Sequence, residues 1–345
     1  MKIQKKAVIA LVGLLAAVLS ACGGTAGGSA TGGSTVTVYT VDGLEDWYTQ
    51  RFDEFKAQTG ITVQVVTAGS GEVASRVEKE KSNPQADILV TLPPFIQRVA
   101  DEGLLSPVTI AGAEKVPAGE RDPQGRYTAM IDNYLSFIDN PKQAVPAPKT
   151  WDDLLDGRFK GKLQYSTPGQ AGDGTAVLIQ LQHVFGKQGA LDYLAKLQAN
   201  NVGPSSSTGK LQPKVAKGEL LVANGDLQMN LAEIDKSGGF EVFFPADATG
   251  KRSTFALPYY AGEVTGAPHA DNAKKLLDFL FSPEVQAKAA DAYGLPARAD
   301  VTATGPKADK FKAALQGVDV WQPDWSQVLN DLDGDLAAYK KATGQ

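Results

Sequence analysis

Thr67-Ala68-Gly69-Ser70-Gly71-Glu72 follows the alternating run Ile61-Thr62-Val63-Gln64-Val65-Val66 and precedes Val73 and Val77 at helical spacing. Alternation of this kind predicts a strand, and the spacing after it predicts a helix. A strand that feeds a helix through a glycine-flanked serine leaves the helix's first N–H groups without intrahelical partners and sets a hydroxyl beside them. The helix dipole favours negative charge at the same spot. The junction therefore reads as a seat for an oxyanion; the commoner role of a serine before a helix is a plain N-cap.

The same strand–helix alternation extends in both directions. Upstream, Thr35 to Thr40 alternates, turns at Val41-Asp42-Gly43-Leu44, and gives way to Trp47, Tyr48, Phe52 and Phe55 at helical spacing as far as Gly60. Downstream, Asn83-Pro84 ends the helix. Ala86 to Thr91 then reads as a buried strand, and Pro93-Pro94 opens another helix. Repetition of this unit predicts an α/β protein with mostly parallel sheets flanked by helices. Tyr127 to Asp139 reads as a crossing strand into a second lobe, where Thr150 to Leu155 is expected to start a capped helix. There Leu163-Gln164-Tyr165 leads into Ser166-Thr167-Pro168-Gly169-Gln170-Ala171-Gly172-Asp173-Gly174-Thr175, a second Gly-rich turn before a helix carrying Val177, Leu181 and Phe185. Leu220 to Ala223 ends in Asn224-Gly225-Asp226, and Phe255 to Gly262 reads as the return crossing.

Lys2, Lys5 and Lys6 precede an apolar run from Ala7 to Leu19 that is short for a membrane span, followed by Leu19-Ser20-Ala21-Cys22. Residues 1–21 are expected to be a lipoprotein signal peptide, with Cys22, the sole cysteine, as the lipidated residue. Residues 22–34 form a Gly/Ser-rich tether. The expected division beyond it is 35–133 with 256–300 as one lobe, 134–255 as the other, and 301–345 as C-terminal helices packing on them. One cysteine excludes a disulfide framework. A net charge of −5 without a basic block argues against nucleic acid as a partner.

No catalytic constellation is apparent, and no cofactor is expected. The two histidines, His183 and His269, lack the spacing of a metal pair. Gly69-Ser70-Gly71 is not a nucleophile elbow. Asp331, Asp333 and Asp335 lack the glycine and terminal glutamate of a calcium loop and read as a solvated helix face. What does recur is small or polar residues at strand ends: Asp42-Gly43, Gly69 to Glu72, Thr91, Thr167 to Thr175, Asn224 to Asp226 and Tyr259-Tyr260. Ligands of open α/β sheets bind outside the carboxyl ends of strands, so facing lobes would bring these tips to one cleft.

Thr150-Trp151-Asp152-Asp153-Leu154-Leu155 with Phe159-Lys160-Gly161-Lys162, and Ala267-Pro268-His269 through Phe281-Ser282-Pro283-Glu284-Val285-Gln286, resemble the solute-binding proteins of bacterial ABC importers with the two-lobed type II periplasmic-binding-protein fold. Tyr39 to Leu44, Gly69 to Glu72, Asn83 to Asp87 and Thr91 to Gln97 are most similar to the 2-aminoethylphosphonate-binding branch. The resemblance implies a monomer, lipid-anchored on the outer face of the cell membrane, that hands its ligand to a permease and its ATPase. Ferric iron, thiamine, polyamine or phosphate remain alternative ligands, Tyr259-Tyr260 being the pair an iron site would use; a lipid-anchored enzyme is the reading from another class. For 2-aminoethylphosphonate, the phosphonate is expected to meet Ser70, Gly71, Thr91, Gly174 and Thr175 from two helix N-termini, each worth about 0.3–1 kcal/mol. The ammonium is expected to meet Asp42 and Asp226, with Tyr39 or Tyr259 offering a cation–π face. Glu72 is expected to support its own helix start.

Overall fold

The computed structural model describes residues 34–345; the expected signal peptide, Cys22 and nearly all of the tether lie outside the described residues. In chain order, β1 (Thr35–Thr40), α1 (Glu45–Thr59), β2 (Thr62–Thr67), α2 (Ser70–Lys79), β3 (Ile88–Thr91), α3 (Phe95–Asp101), β4 (Leu105–Ser106) and β5 (Thr128–Asp132) build the first lobe. The second lobe takes β6 (Leu135–Asp139), β7 (Leu163–Gln164), α4 (Gly172–Leu197), α5 (Gln212–Ala216), β8 (Val222–Asp226), α6 (Leu227–Lys236), β9 (Glu241–Phe243) and β10 (Ser253–Phe255). The chain returns through β11 (Tyr259–Val264), α7 (Ala270–Leu280), α8 (Pro283–Ala287) and β12 (Leu295–Pro296). It ends with α9 (Pro306–Ala314), β13 (Asp319–Trp321) and α10 (Trp325–Thr343).

The first sheet has the order β12-β5-β11-β3-β1-β2, with β4 also on β11; the second has the order β7-β8-β6-β9. The α/β fold class holds, but the sheets are mixed rather than mostly parallel. β1 runs parallel to β2 and β3, because α1 and α2 carry the chain back between them. The returning β11 enters from the other lobe and lies antiparallel to β3, β4 and β5. In the second sheet only β7 and β8 are parallel. The expected long crossing strand is two strands, β5 and β6, broken at Asn133-Tyr134. The return crossing is likewise broken between Phe255 and Tyr259. Thr150 to Leu155 forms one 3-10 turn rather than a longer helix. Its cap is reciprocal: the Asp153 N–H donates to Thr150 Oγ1, and the Asp153 carboxylate accepts from the Thr150 N–H.

Each lobe closes on its own core. Val36 and Val38 of β1, Phe55 of α1, Val73 and Val77 of α2, Ile88 to Val90 of β3, and Leu276, Leu277 and Leu280 of α7 form one. Phe137, Trp151, Phe159, Val177, Leu181, Leu194, Phe255 and Tyr339 form the other. Gly60 ends α1 in the left-handed region at φ 75°, its N–H donating to the Lys56 carbonyl, which is why a glycine stands there. α4 breaks at Gly186, and this separates the two helical patterns seen on either side of Phe185 and Leu191. The C-terminal residues complete the second lobe: β13 pairs with β10, and the Tyr339 hydroxyl lies 3.1 Å from that of Tyr165.

Candidate ligand-binding site

Three helix starts meet between the lobes. α2 begins at Ser70 directly after β2, α4 begins at Gly172 after the long Gly-rich turn, and α6 begins after Asp226 at the end of β8. Asp42, Ser70 and Leu92 from the first lobe, with Gly172, Asp173, Thr208, Asp226 and Met229 from the second, line one small cavity. Its free volume is about 10 Å³, room for about one water, so the lobes must part to admit anything larger.

Around this cavity the two backbones touch. The Gly71 N–H donates to the Gln170 carbonyl at 2.9 Å. A Cβ at Gly69 would lie 2.4 Å from the Ser206 carbonyl oxygen, one at Gly71 2.1 Å from that of Gly169, and one at Gly172 2.6 Å from Ser70 Oγ. Glycine is used on both sides because any side chain would hold the lobes apart. Ser207 Oγ donates to Asp42 Oδ2 at 2.6 Å, and Gln228 Nε2 donates to the Gly43 carbonyl at 3.0 Å. Glu72 accepts from the Gly69 N–H at 3.2 Å, so it does support its own helix start.

The expected residues divide into two groups. Asp42, Ser70 and Asp226 line the cavity. The Tyr259 hydroxyl sits within 3.2 Å of Asp226 Oδ2 and 3.0 Å of Gln228 Oε1, beside them. The others are engaged elsewhere. Gly71 spends its N–H on Gln170. Thr91 is buried, with Oγ1 3.4 Å from the Ser70 carbonyl oxygen, and does not line the cavity. Gly174 packs on the Ser166 backbone, where a Cβ would come within 2.2 Å. Thr175 Oγ1 donates to the Ala171 carbonyl and accepts from the Gly169 N–H, so it shapes the turn instead of facing a ligand. Tyr39 lies against α2, its hydroxyl donating to Glu80 at 2.9 Å and its ring under the Arg76 guanidinium at 4.5 Å. It does not line the cavity.

Asp173 and Thr208 join the site without having been singled out. Asp173 stood inside the second Gly-rich turn, but an acid in a first helical turn reads as a complement to the dipole. The run Ser205 to Gly209 offered hydroxyls without a strand-to-helix signal. Burial pushes the Asp226 carboxyl up to about 6, against the Met229 N–H and the Tyr259 hydroxyl that stabilise its charged form. Burial, and then the nearby Asp226, push Asp173 well above the usual carboxylate range. The Tyr259 phenol is raised chiefly by burial, then by Asp226 and Asp173. Tyr259 and Tyr260 do not converge on one spot: the register shifts between them, and Tyr259 reaches Asp226 and Gln228. Tyr260 packs edge-on against Tyr127 at 5.4 Å. Among the described residues no group of three or more His, Cys, Asp or Glu is arranged to hold a metal ion.

Residues 83–325 match the model of a family described as bacterial extracellular solute-binding protein. The chain belongs to that family. A protein of Salmonella paratyphi A, provisionally named a 2-aminoethylphosphonate-binding periplasmic protein, is 51% identical over 316 residues, covering 90% of this chain and 93% of its own. Iron uptake protein A1 of Synechocystis is 25% identical over 253 residues, 68% of each chain. The periplasmic binding protein AfuA from Actinobacillus pleuropneumoniae, solved with fructose-6-phosphate, superposes with a TM-score of 0.79 at 20% identity, over 90% of this chain and 99% of its own. The matched family is one of solute-binding proteins, and the chain shares the two-lobed fold of the solved periplasmic binding protein AfuA. No helix among the described residues is long and apolar enough to cross a membrane.

Proposed function

We propose that this solute-binding protein serves an ABC importer and captures 2-aminoethylphosphonate between its lobes. One observation carries the reading: one interlobe cavity combines a hydroxyl at facing helix starts with buried carboxylates. Ser70 and the N-termini of α2 and α4 suit a phosphonate, whose oxygens take hydrogen bonds from N–H and O–H groups. Asp42 and Asp226 suit the ammonium, and Tyr259 orients Asp226. The similarity to the Salmonella protein supports the same ligand.

Closure is the functional step. A guest that bonds both lobes stabilises the closed form by its differential affinity for it, with the bending taken up at residues 133–134 and 256–258. On this reading residues 35–133 and 256–300 move against 134–255, and a permease with its ATPase receives the closed, monomeric form. Cys22 would hold the protein to the outer face of the membrane through its lipid. Titration calorimetry of the purified protein with 2-aminoethylphosphonate tests the ligand. Saturable heat at micromolar concentrations is expected; no heat at millimolar concentrations would remove it. Phosphate, thiamine, a polyamine and ferric citrate are the comparison ligands in the same experiment.

A further inference from the structure

A zwitterion with one ammonium needs one counter-charge, yet three carboxylates line this cavity: Asp42 from the first lobe, and Asp173 and Asp226 from the second. Two of them have work within the protein. Asp42 Oδ2 accepts from Ser207 Oγ and from the Gly209 N–H, tying the lobes together. Asp226 Oδ1 accepts from the Met229 N–H at 2.6 Å as the cap of α6, and Oδ2 lies beside the Tyr259 hydroxyl. Asp173 is engaged on one side alone, by a side-chain hydrogen bond with Thr208. It is 3% exposed, and its Oδ1 has no hydrogen-bond partner among the described residues.

A buried carboxylate oxygen without a donor is costly, and native proteins rarely leave one without a reason. The helix start that carries Asp173 is also clamped. Gly172 lies against Leu92 and Ser70, and Gly174 lies against the Ser166 backbone. No lysine or arginine is among the residues lining the cavity to neutralise it. An unspent acceptor, held in place inside the cleft, is suited to an incoming N–H donor that carries positive charge.

Resting on the phosphonate reading above, we infer that Asp173 is the specificity-determining residue that accepts a hydrogen bond from the ligand's primary ammonium. A guest with that ammonium gives Asp173 Oδ1 the donor it lacks as the lobes close. A guest without it, such as an alkylphosphonate or inorganic phosphate, leaves that buried oxygen unpaired, and closure is less favourable. The upward displacement of the Asp173 carboxyl by burial and by Asp226 agrees with a group that lacks a cationic partner.

The test is calorimetric titration of wild type and Asp173→Asn with 2-aminoethylphosphonate and with ethylphosphonate. The expected result is at least a tenfold loss of 2-aminoethylphosphonate affinity in the variant, with ethylphosphonate binding equal or tighter. Equal losses for both ligands, or a 2-aminoethylphosphonate affinity within twofold of wild type, would overturn the assignment and leave the phosphonate reading standing. A wild type that binds no 2-aminoethylphosphonate would overturn both. A second measurement needs no variant: the wild type is titrated with the N,N,N-trimethyl analogue, which keeps the charge but has no N–H to donate. At least tenfold weaker binding is expected, and binding as tight as that of the primary amine would refute the hydrogen bond.

Discussion

Replacing Gly71 by alanine would place a methyl carbon 2.1 Å from the Gly169 carbonyl oxygen and 3.2 Å from that of Gln170, both on the opposing lobe. These are backbone atoms, so no rotamer change relieves the contact. Moving the lobes apart by roughly 1 Å would relieve it, but would stretch the 2.9 Å Gly71 N–H···O=C Gln170 bond beyond hydrogen-bonding range. Overpacking costs about 1–3 kcal/mol and a lost neutral hydrogen bond about 0.5–1.5 kcal/mol. Together these correspond to a loss in the closure equilibrium of roughly tenfold to about two-thousandfold. A ligand that needs both lobes loses the same factor in affinity. Yet Gly71 lies in the first turn of α2, where alanine is the better helix former by up to about 1 kcal/mol. The variant should therefore bind 2-aminoethylphosphonate at least tenfold more weakly by calorimetry, while melting no lower than wild type. Small-angle scattering at matched ligand concentration should show a larger radius of gyration. Affinity within twofold of wild type would refute the idea that this glycine exists for lobe contact, and so would a fall in melting temperature as large as the affinity loss.

Ser70→Ala removes a hydroxyl that lines the cavity and should weaken 2-aminoethylphosphonate by about 1.5–3 kcal/mol by calorimetry if it bonds a charged oxygen. Tyr39→Phe removes the bond to Glu80 outside the cavity; it should lower the melting temperature slightly and leave ligand affinity unchanged, and a tenfold affinity loss would return Tyr39 to the site. Burial, then Glu241, push the buried Asp139 carboxyl up to about 6. The folded state thus holds a proton that the unfolded chain releases from about pH 4 upward, and stability falls as pH rises through that window to about 6. Asp139→Asn should accordingly raise the melting temperature at pH 8 and change it little at pH 4.5, and an equal effect at both would exclude this cause.

The strand-to-helix junctions were legible because alternation and helical spacing are local. β1, β2, β3 and the helices after them lie close to where the periodicity of Thr35 to Val99 placed them. Strand direction was not legible, since nothing in Tyr259 to Val264 says that it inserts between β3 and β5 from the opposite end. Ser70, Asp42 and Asp226, read as residues at strand ends, line the interlobe cavity. Thr175 and Gly174 were misread because a Gly-rich turn does not reveal which of its groups face outward: Gly169 and Ala171 consume the Thr175 hydroxyl. Asp173 was passed over because its unpaired oxygen is a property of the assembled lobes. Tyr39 failed for a simpler reason, as its ring lies on the face of β1 that α2 covers.

The pairing of late residues with early ones decides when this protein can fold. β11, beginning at Tyr259, fills the gap between β3 and β5 in the first sheet, so that sheet is split until three-quarters of the polypeptide has been made. The second lobe waits longer, because Tyr339 on α10 completes the core around Tyr165. Contacts of such sequence separation form slowly and only once their loops can close. A ribosome thus releases about three-quarters of the chain before the first sheet can close, and nearly all of it before the second core is finished. For a protein destined for the far side of a membrane, such a delay keeps it threadable.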